Sequence, residues 1–376
     1  MRTLLDATAV PADRGGVGRY VDELVPRLVD AGVSLVIAAQ ERDAELYGAL
    51  VPGAEIVAVP SALERRAVRM AWEQTGLPNL VRSVRPDVVH SPHYTMPLAA
   101  SSLGVPVVVT LHDATFFTTP ELHLRSKAVF FRNAIRVAVR RAAALVVPSR
   151  ATRDEVLREA GGDPARFHVA YHGVDAGRFH PVSEADRERV RSTLGIGSAA
   201  YVGFLGTLEP RKNVPALVRG WVEACAGSAE PPALVLAGGK GWDAGIDGAV
   251  AAVPSHLEVV RPGYLPLDDL PGFLAGAQVL AYPSLGEGFG LPVLEAMACG
   301  ATVLTTRELS LPEVGGDAVA YCGTDDASIA GSLRRLLADA PERERLARAA
   351  AERAATFTWE AAAQAHVEAY EAARRR

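Results

Sequence analysis

Strand and helix signals alternate along this chain from its first residues to its last, in two successive series. In the first, the apolar or β-branched runs Thr3–Leu5, Ser34–Ala38, Val88–His90, Val105–Leu111 and Ala144–Val147 are separated by helical stretches such as Gly18–Asp30, Leu124–Arg141 and Ala151–Ala160. In the second, Ala200–Leu205, Ala233–Ala237, Leu257–Val260, Val279–Tyr282 and Ala301–Thr305 lead to a last run near Ala318–Tyr321. Parallel strands need a crossover, and a helix is the usual one, so this order predicts parallel sheets covered by helices. The 376 residues exceed what one core usually holds. The expectation is therefore an α/β chain of two doubly wound domains. The turn-forming Tyr171–Asp175 and the polar stretch 176–199 mark the change between them, giving domains 1–175 and 176–357. A last helix, 358–376, follows the second series with small or apolar residues at Ala362, Ala365, Val367, Ala369 and Tyr370, and is expected to pack back on the first domain.

Bulk properties exclude several classes of function. Net charge is −5 and sits almost wholly in the second half, which argues against nucleic acid as the main partner. Cys225, Cys299 and Cys322 are odd in number and lack metal spacing, which fits a reducing compartment. No leader is expected before the first strand, and no apolar run approaches the roughly 20 residues that span a bilayer. A cytoplasmic protein is expected. Residues 125–141 hold Arg125, Lys127, Arg132, Arg136, Arg140 and Arg141 with no acid between them. This reads either as the solvated face of a sheet-covering helix, the favoured reading, or as a peripheral contact with the inner face of the cell membrane. Oligomeric state is not readable.

The chemistry concentrates where predicted strands end. Glu287-Gly-Phe-Gly-Leu-Pro-Val-Leu-Glu295 follows a buried strand and a turn, and Pro292 is well placed as a first helical residue. A glycine-rich loop lets backbone N–H groups approach a ligand, and the helix start after it favours an anion. Two acids beside an anion site are expected to accept hydrogen bonds from hydroxyl groups attached to that anion. Glu295 lies among Val293, Leu294, Ala296 and Met297, where an unpaired carboxylate is costly to bury. Gly206-Thr-Leu-Glu-Pro-Arg-Lys-Asn213 also follows a strand; Arg211 and Lys212 suit a diphosphate, and such a pair can replace a metal as electrophile. No Asp-x-Asp motif occurs, and no metal or cofactor is expected. Gly15-Gly-Val-Gly-Arg-Tyr20 joins a loop to a helix, but Val21 stands where a dinucleotide fingerprint needs glycine and Ala38-Ala39-Gln40 where it needs an acid. His112-Asp113 ends an apolar run at the carboxyl edge of a strand, with no serine elbow for a triad.

In order and spacing these segments resemble the retaining glycosyltransferases of family 4. The match includes the Gly15–Tyr20 loop, His112-Asp113, Val147-Pro148-Ser149, the His172–Asp175 turn, Gly206–Asn213, Gly263-Tyr264, Glu287–Glu295 and Phe357-Thr358-Trp359. The resemblance implies the GT-B fold: two Rossmann-like domains facing a central cleft, the C-terminal helix returning to the N-terminal domain. It implies a nucleotide-sugar donor in the second domain and an acceptor, glycan, lipid-linked or small-molecule, in the first. It assigns Arg211 and Lys212 to the diphosphate, Glu295 to the ribose, and Glu287 with Gly288, Phe289, Gly290 and Leu291 to the sugar hydroxyls. Gly16 would approach the diphosphate, His112 would lie by the anomeric centre, and Gly206, Gly263 and Tyr264 complete the donor set. Tyr94, Asp113 and Phe116 are the expected acceptor contacts, with Tyr94, Phe116 and Phe117 stacking on a sugar ring or covering a lipid. The implied reaction is a metal-independent, front-face transfer of a hexosyl unit with retention, mannose from GDP-mannose first. A GT-B nucleotide-sugar epimerase and a non-catalytic sugar-nucleotide binder are the alternatives.

Overall fold

Two parallel sheets organise the computed structural model, which describes all residues except 13, 100, 101, 103 and 197–199. The chain divides into two units, Met1–Gly173 with Thr358–Arg376, and Val174–Phe357. In the first, β1 (Arg2–Asp6), β2 (Ser34–Gln40), β3 (Glu55–Val59), β4 (Val88–Ser91), β5 (Val107–Thr110), β6 (Ala144–Val147) and β7 (Phe167–Val169) form a sheet in the order β3-β2-β1-β4-β5-β6-β7. In the second, β8 (Tyr201–Leu205), β9 (Ala233–Ala237), β10 (Val259–Gly263), β11 (Val279–Tyr282), β12 (Val303–Thr306) and β13 (Ala320–Cys322) follow the order β10-β9-β8-β11-β12-β13. Strands β4, β5, β6, β8, β9, β11 and β12 are buried at every residue, as a sheet covered on both faces requires. In each sheet the order reverses beside the first strand, between β1 and β4 and between β8 and β11. Ligands of open α/β sheets bind outside the carboxyl ends of strands at such a reversal.

Strands β3 and β7 are absent from the expected series. β3 is an edge strand with only Val59 fully buried, and β7 has three residues, so neither carries a long apolar run. The polar stretch after Asp175 is not all linker, because Glu184–Leu194 is a helix of the second unit, capped by Ser183 accepting from Asp186 N. Its Val190 and Asp186 lie against Gly272, where a Cβ would come within 2.7 Å of the Val190 side chain.

The helix Trp359–Arg374 belongs to the first unit. Thr358 caps it by accepting from Ala361 N at 3.1 Å, and a Cβ on Gly173 would lie 2.1 Å from Trp359 N, so glycine is what allows that approach. The helix is held by a chain of buried hydrogen bonds. His366 Nδ1 lies 2.7 Å from Ala362 O, which can only accept, so this nitrogen carries the proton and Nε2 accepts from Tyr20 Oη at 2.7 Å. Tyr20 then accepts from Thr110 Oγ1 at 2.9 Å, Thr110 from His90 Nε2 at 2.9 Å, and His90 Nδ1 from Tyr370 Oη at 2.8 Å. Every donor has one acceptor, and both rings are neutral.

Burial holds His90 well below the ordinary histidine value and His366 down to about 4. An unfolded histidine titrates near 6.5, so the folded state keeps this stabilisation above that pH and loses it as pH falls towards 4, at about 1.4 kcal/mol per pH unit for each proton taken up on unfolding. Urea unfolding should therefore show clearly lower stability near pH 5 than near pH 7, and a His366→Gln chain should lose part of that slope; equal slopes would contradict the assignment.

Candidate active site

The reversal between β8 and β11 brings together two loops 75 residues apart in sequence. The β8 loop is shaped by backbone packing. Gly206 N donates to Ala237 O at 3.0 Å, Leu208 N to Gly239 O at 3.1 Å and Asp243 N to Leu208 O at 3.2 Å. A Cβ on Gly238 would sit 2.0 Å from Gly206 O, so the ends of β8 and β9 approach as only glycine permits. The loop closes in a short 3-10 turn, Pro210–Lys212, and Asn213, at φ 58°, donates its amide to Thr324 O at 2.8 Å before the next helix starts. Leu285 N donates to Arg211 O at 2.8 Å, which fastens this turn to the β11 loop.

At the junction Glu287 is buried between the two cations. Its Oε1 accepts from Lys212 Nζ at 2.7 Å, Ser284 Oγ at 2.6 Å and Tyr282 Oη at 3.0 Å, while Oε2 accepts from Arg211 Nη1. Arg211 Nη1 also donates to Gly286 O at 2.6 Å, and Glu209 stands 3.7 Å from its Nη2. Lys212 Nζ lies 2.5 Å from Tyr282 Oη and 4.9 Å from the centre of that ring. Burial opposes ionisation of Glu287, but Arg211 and Lys212, with hydrogen bonds from Lys212 and Ser284, outweigh it and hold the carboxyl at about 2. Burial, then repulsion from Arg211, lowers the Lys212 ammonium. Burial and the adjacent Glu287 charge push the Tyr282 hydroxyl well up. Ser310 braces the loop by meeting Glu287 O at 2.7 Å and Phe289 O at 2.9 Å.

Other expected site residues take distinct places. Gly288 and Phe289 are buried, and Gly290, at φ 100°, caps the helix Leu291–Ala298. Glu295 lies inside that helix at 2% exposure, as its apolar neighbours implied. Gly263 ends β10, two strands from β8, and Tyr264 beside it is 68% exposed. In the first unit Gly16 falls in the first turn of the helix Gly15–Asp30, with open space where a Cβ would project. His112 donates Nε2–H to Pro92 O at 2.7 Å, packs edge-on against Tyr20 at 5.1 Å, and is kept below the ordinary histidine value by burial. Asp113 caps the next turn through Thr115 N at 3.2 Å and Thr115 Oγ1 at 2.9 Å.

One expectation requires correction. Tyr94 and Phe116 are core residues, 3% and 4% exposed, each packed on Phe131, with ring centroids 5.0 and 4.6 Å away. Their faces are occupied within the unit and do not offer a platform for a sugar or lipid. On the basic helix Arg125–Arg141, Arg125, Arg136, Arg140 and Arg141 are exposed, while Arg132 donates to Phe116 O at 2.8 Å and Arg136 lies 5.2 Å from the centre of Phe117. Sequence reasoning missed Tyr282, Ser284 and Ser310. The signal for the first two was present, a hydroxyl pair in Tyr-Pro-Ser at the end of a buried strand just before an acid.

Comparison with known proteins gives the family. Residues 14–178 match the family described as Glycosyltransferase Family 4, and residues 186–353 match Glycosyl transferases group 1. A D-inositol 3-phosphate glycosyltransferase of Salinispora tropica is 30% identical across 93% of this chain and 79% of its own length. The chain belongs to glycosyltransferase family 4. An O-antigen chain mannosyltransferase B of Escherichia coli is 28% identical across 94% of this chain and 95% of its own. Among solved structures, HepE of Anabaena in complex with UDP-glucose has a TM-score of 0.76 at 19% identity, covering 98% of each chain. Sucrose-phosphate synthase of Thermosynechococcus elongatus has a TM-score of 0.80, also at 19% identity and 98% of each chain. Both units thus have the Rossmann-like architecture of GT-B glycosyltransferases.

The family 4 chain should show strong energetic coupling at its buried cluster. Glu287→Gln removes the carboxylate that the two cations share, and Lys212→Met leaves that carboxylate with one partner fewer; each should lower unfolding stability by about 2 kcal/mol or more. The double variant should be less destabilised than the sum by at least about 1 kcal/mol. Strict additivity in urea unfolding would show that the pair is not a unit.

Proposed function

We propose that the second unit holds a nucleoside diphosphate sugar at the β8/β11 reversal, and that the enzyme moves its hexosyl group to an acceptor hydroxyl with retention of configuration. The observation that carries this reading is the Arg211–Lys212–Glu287 cluster at that reversal. Arg211 and Lys212 would donate to the diphosphate, and Glu287 holds them in place beforehand, so little reorganisation accompanies bond breaking. Glu287, with backbone groups of Gly288–Leu291, would accept from sugar hydroxyls, and Glu295 from the ribose. Gly206, Gly263 and Tyr264 complete the donor contacts, and Gly16 is assigned to the diphosphate. His112, neutral and with Nε2–H committed to Pro92, would offer Nδ1 as acceptor to a sugar hydroxyl.

No side chain need act as nucleophile. In a front-face reaction the acceptor oxygen bonds to the anomeric carbon on the side from which the phosphate oxygen departs. The leaving diphosphate takes the acceptor's proton. Arg211 and Lys212 would do the work of a metal ion in stabilising the departing charge. Mannose is the sugar favoured, because the relative named a mannosyltransferase matches over nearly its whole length; the structural relative HepE was solved with UDP-glucose.

Lys212→Ala should lower turnover on the order of 10²-fold, the scale for losing one preorganised charge stabiliser, with transfer by the unaltered enzyme unchanged by EDTA. NMR of the product should show the donor's anomeric configuration. Inversion, or near-native turnover in Lys212→Ala, would refute the mechanism.

A further inference from the structure

Where β2 runs into the helix Glu41–Leu50, three side chains hold the segment that follows β1. Gln40, the last residue of β2, donates its Nε2 to Thr8 O at 2.7 Å. Arg42 donates its Nη2 to Val10 O at 2.9 Å, and its guanidinium is itself held by Glu64 at 3.3 Å and Asp43 at 3.6 Å. Asp43 in turn stands 3.3 Å from Arg14. Thr8, Val10 and Arg14 are thus each fixed from residues 40–43. A dinucleotide fold would place a ribose hydroxyl at this strand end. Here the strand end is committed to the chain's own β1 loop.

Arg14 passes this hold on to the helix Gly15–Asp30. Its carbonyl accepts from Gly18 N at 2.7 Å, the first bond of that helix, and its side chain runs along the same helix to meet Asp22 at 3.2 Å. A Cβ on Gly18 would come within 2.9 Å of Arg14 Cβ and 3.4 Å of the Val10 side chain. The first turn therefore lies directly on the two residues that Arg42 and Asp43 hold.

The grip on Arg14 is one of charge more than of direction. Burial raises the Asp22 carboxyl against the pull of Arg14, and Asp43 adds a second acid on the same guanidinium, which lies 5.7 Å from the centre of the buried Tyr47 ring. Arg14 Nη1 and Nη2, Asp22 Oδ1 and Asp43 Oδ2 meet no aligned hydrogen-bond partner among the described residues. An uncharged residue of the same shape at position 43 would release Arg14 without changing the volume around it.

Resting on the reading that assigns Gly16 to the donor diphosphate, we propose that Arg42 and Asp43 are positioning residues for that contact: through Val10 and Arg14 they fix where the first turn of the helix Gly15–Asp30 presents its amides. The first N–H groups of a helix have no partner within it, so their direction is set by whatever anchors the turn. An anchored turn meets an anion without first having to be ordered, and a released one loses affinity for it. Neither residue is given a contact with the donor; both act through the main chain.

Calorimetric titration of the full chain with UDP, UMP, GDP and GMP tests this, on the parent, Asp43→Asn, Arg42→Met and, as a reference for the donor site, Arg211→Ala. The parent should prefer the diphosphate of one base. Asp43→Asn and Arg42→Met should each reduce that preference about fivefold or more at an unchanged number of binding sites, with faster hydrogen exchange at residues 15–18. A merely structural role would lower the melting temperature or the fraction of chains that bind, and would act on both nucleotides alike. Arg42→Met, which keeps the Asp43–Arg14 pair, carries the test if Asp43→Asn does not fold. A preference lost in Arg211→Ala but intact in the other two variants, or equal losses for diphosphate and monophosphate, overturns this inference and leaves the donor reading standing. No diphosphate preference in the parent overturns the donor reading, and this inference with it.

Discussion

A carboxylate buried between two cations is the interaction on which the β8/β11 reversal of the second unit depends. Glu287 alone would be costly to bury, and so would Arg211 and Lys212; together, with hydroxyls from Tyr282 and Ser284, they satisfy one another. The sheet order makes the meeting possible. β8 and β11 are neighbours although two strands lie between them in sequence, so the loop after each ends at the same edge. Glycine at 206 and 238 then lets the β8 loop lie close enough to the β9 end to be held by main-chain bonds rather than by side chains.

The sequence reading gives the three residues separate duties, cations for the diphosphate and acid for the sugar. Their coupling changes that picture. Glu287 is first a positioning group for Arg211 and Lys212, and any contact it makes to a sugar is made from an oxygen already receiving hydrogen bonds. Such preorganisation is what an electrostatic catalyst needs, since donors that are already aimed do not have to reorganise as charge develops. The first unit uses the same topology with different chemistry. Its core is tied to the C-terminal helix by neutral, directional bonds among Tyr20, His90, Thr110, His366 and Tyr370.

What was legible in the chain follows from physics as well. β8, β9 and β11 are visible because strands covered on both faces must be apolar throughout, and the helix after Gly290 because a proline follows its cap. The burial of Glu295 was readable from its neighbours. β3, half-exposed at an edge, and β7, three residues long, leave little trace. Tyr94, in a loop, and Phe116, in the single helical turn Thr115–Thr118, were misread because neither setting has a periodicity to tell core from surface; only packing on Phe131 decides it. The Glu287–Arg211 pair, the Gln40–Thr8 bond and the His366 chain all join residues far apart in sequence, and no local pattern announces them.

The central claim is that the β8/β11 reversal is built for a diphosphate with sugar and ribose hydroxyls around it. Thermal unfolding with nucleosides, nucleoside monophosphates, diphosphates and nucleotide sugars tests it directly, since a ligand at 100 times its dissociation constant adds about 2.7 kcal/mol of stability. A rise confined to diphosphates and nucleotide sugars of one base, and lost in Arg211→Ala, is the result predicted. A rise with the bare nucleoside as large as with the diphosphate, or no rise with any of them, would contradict it.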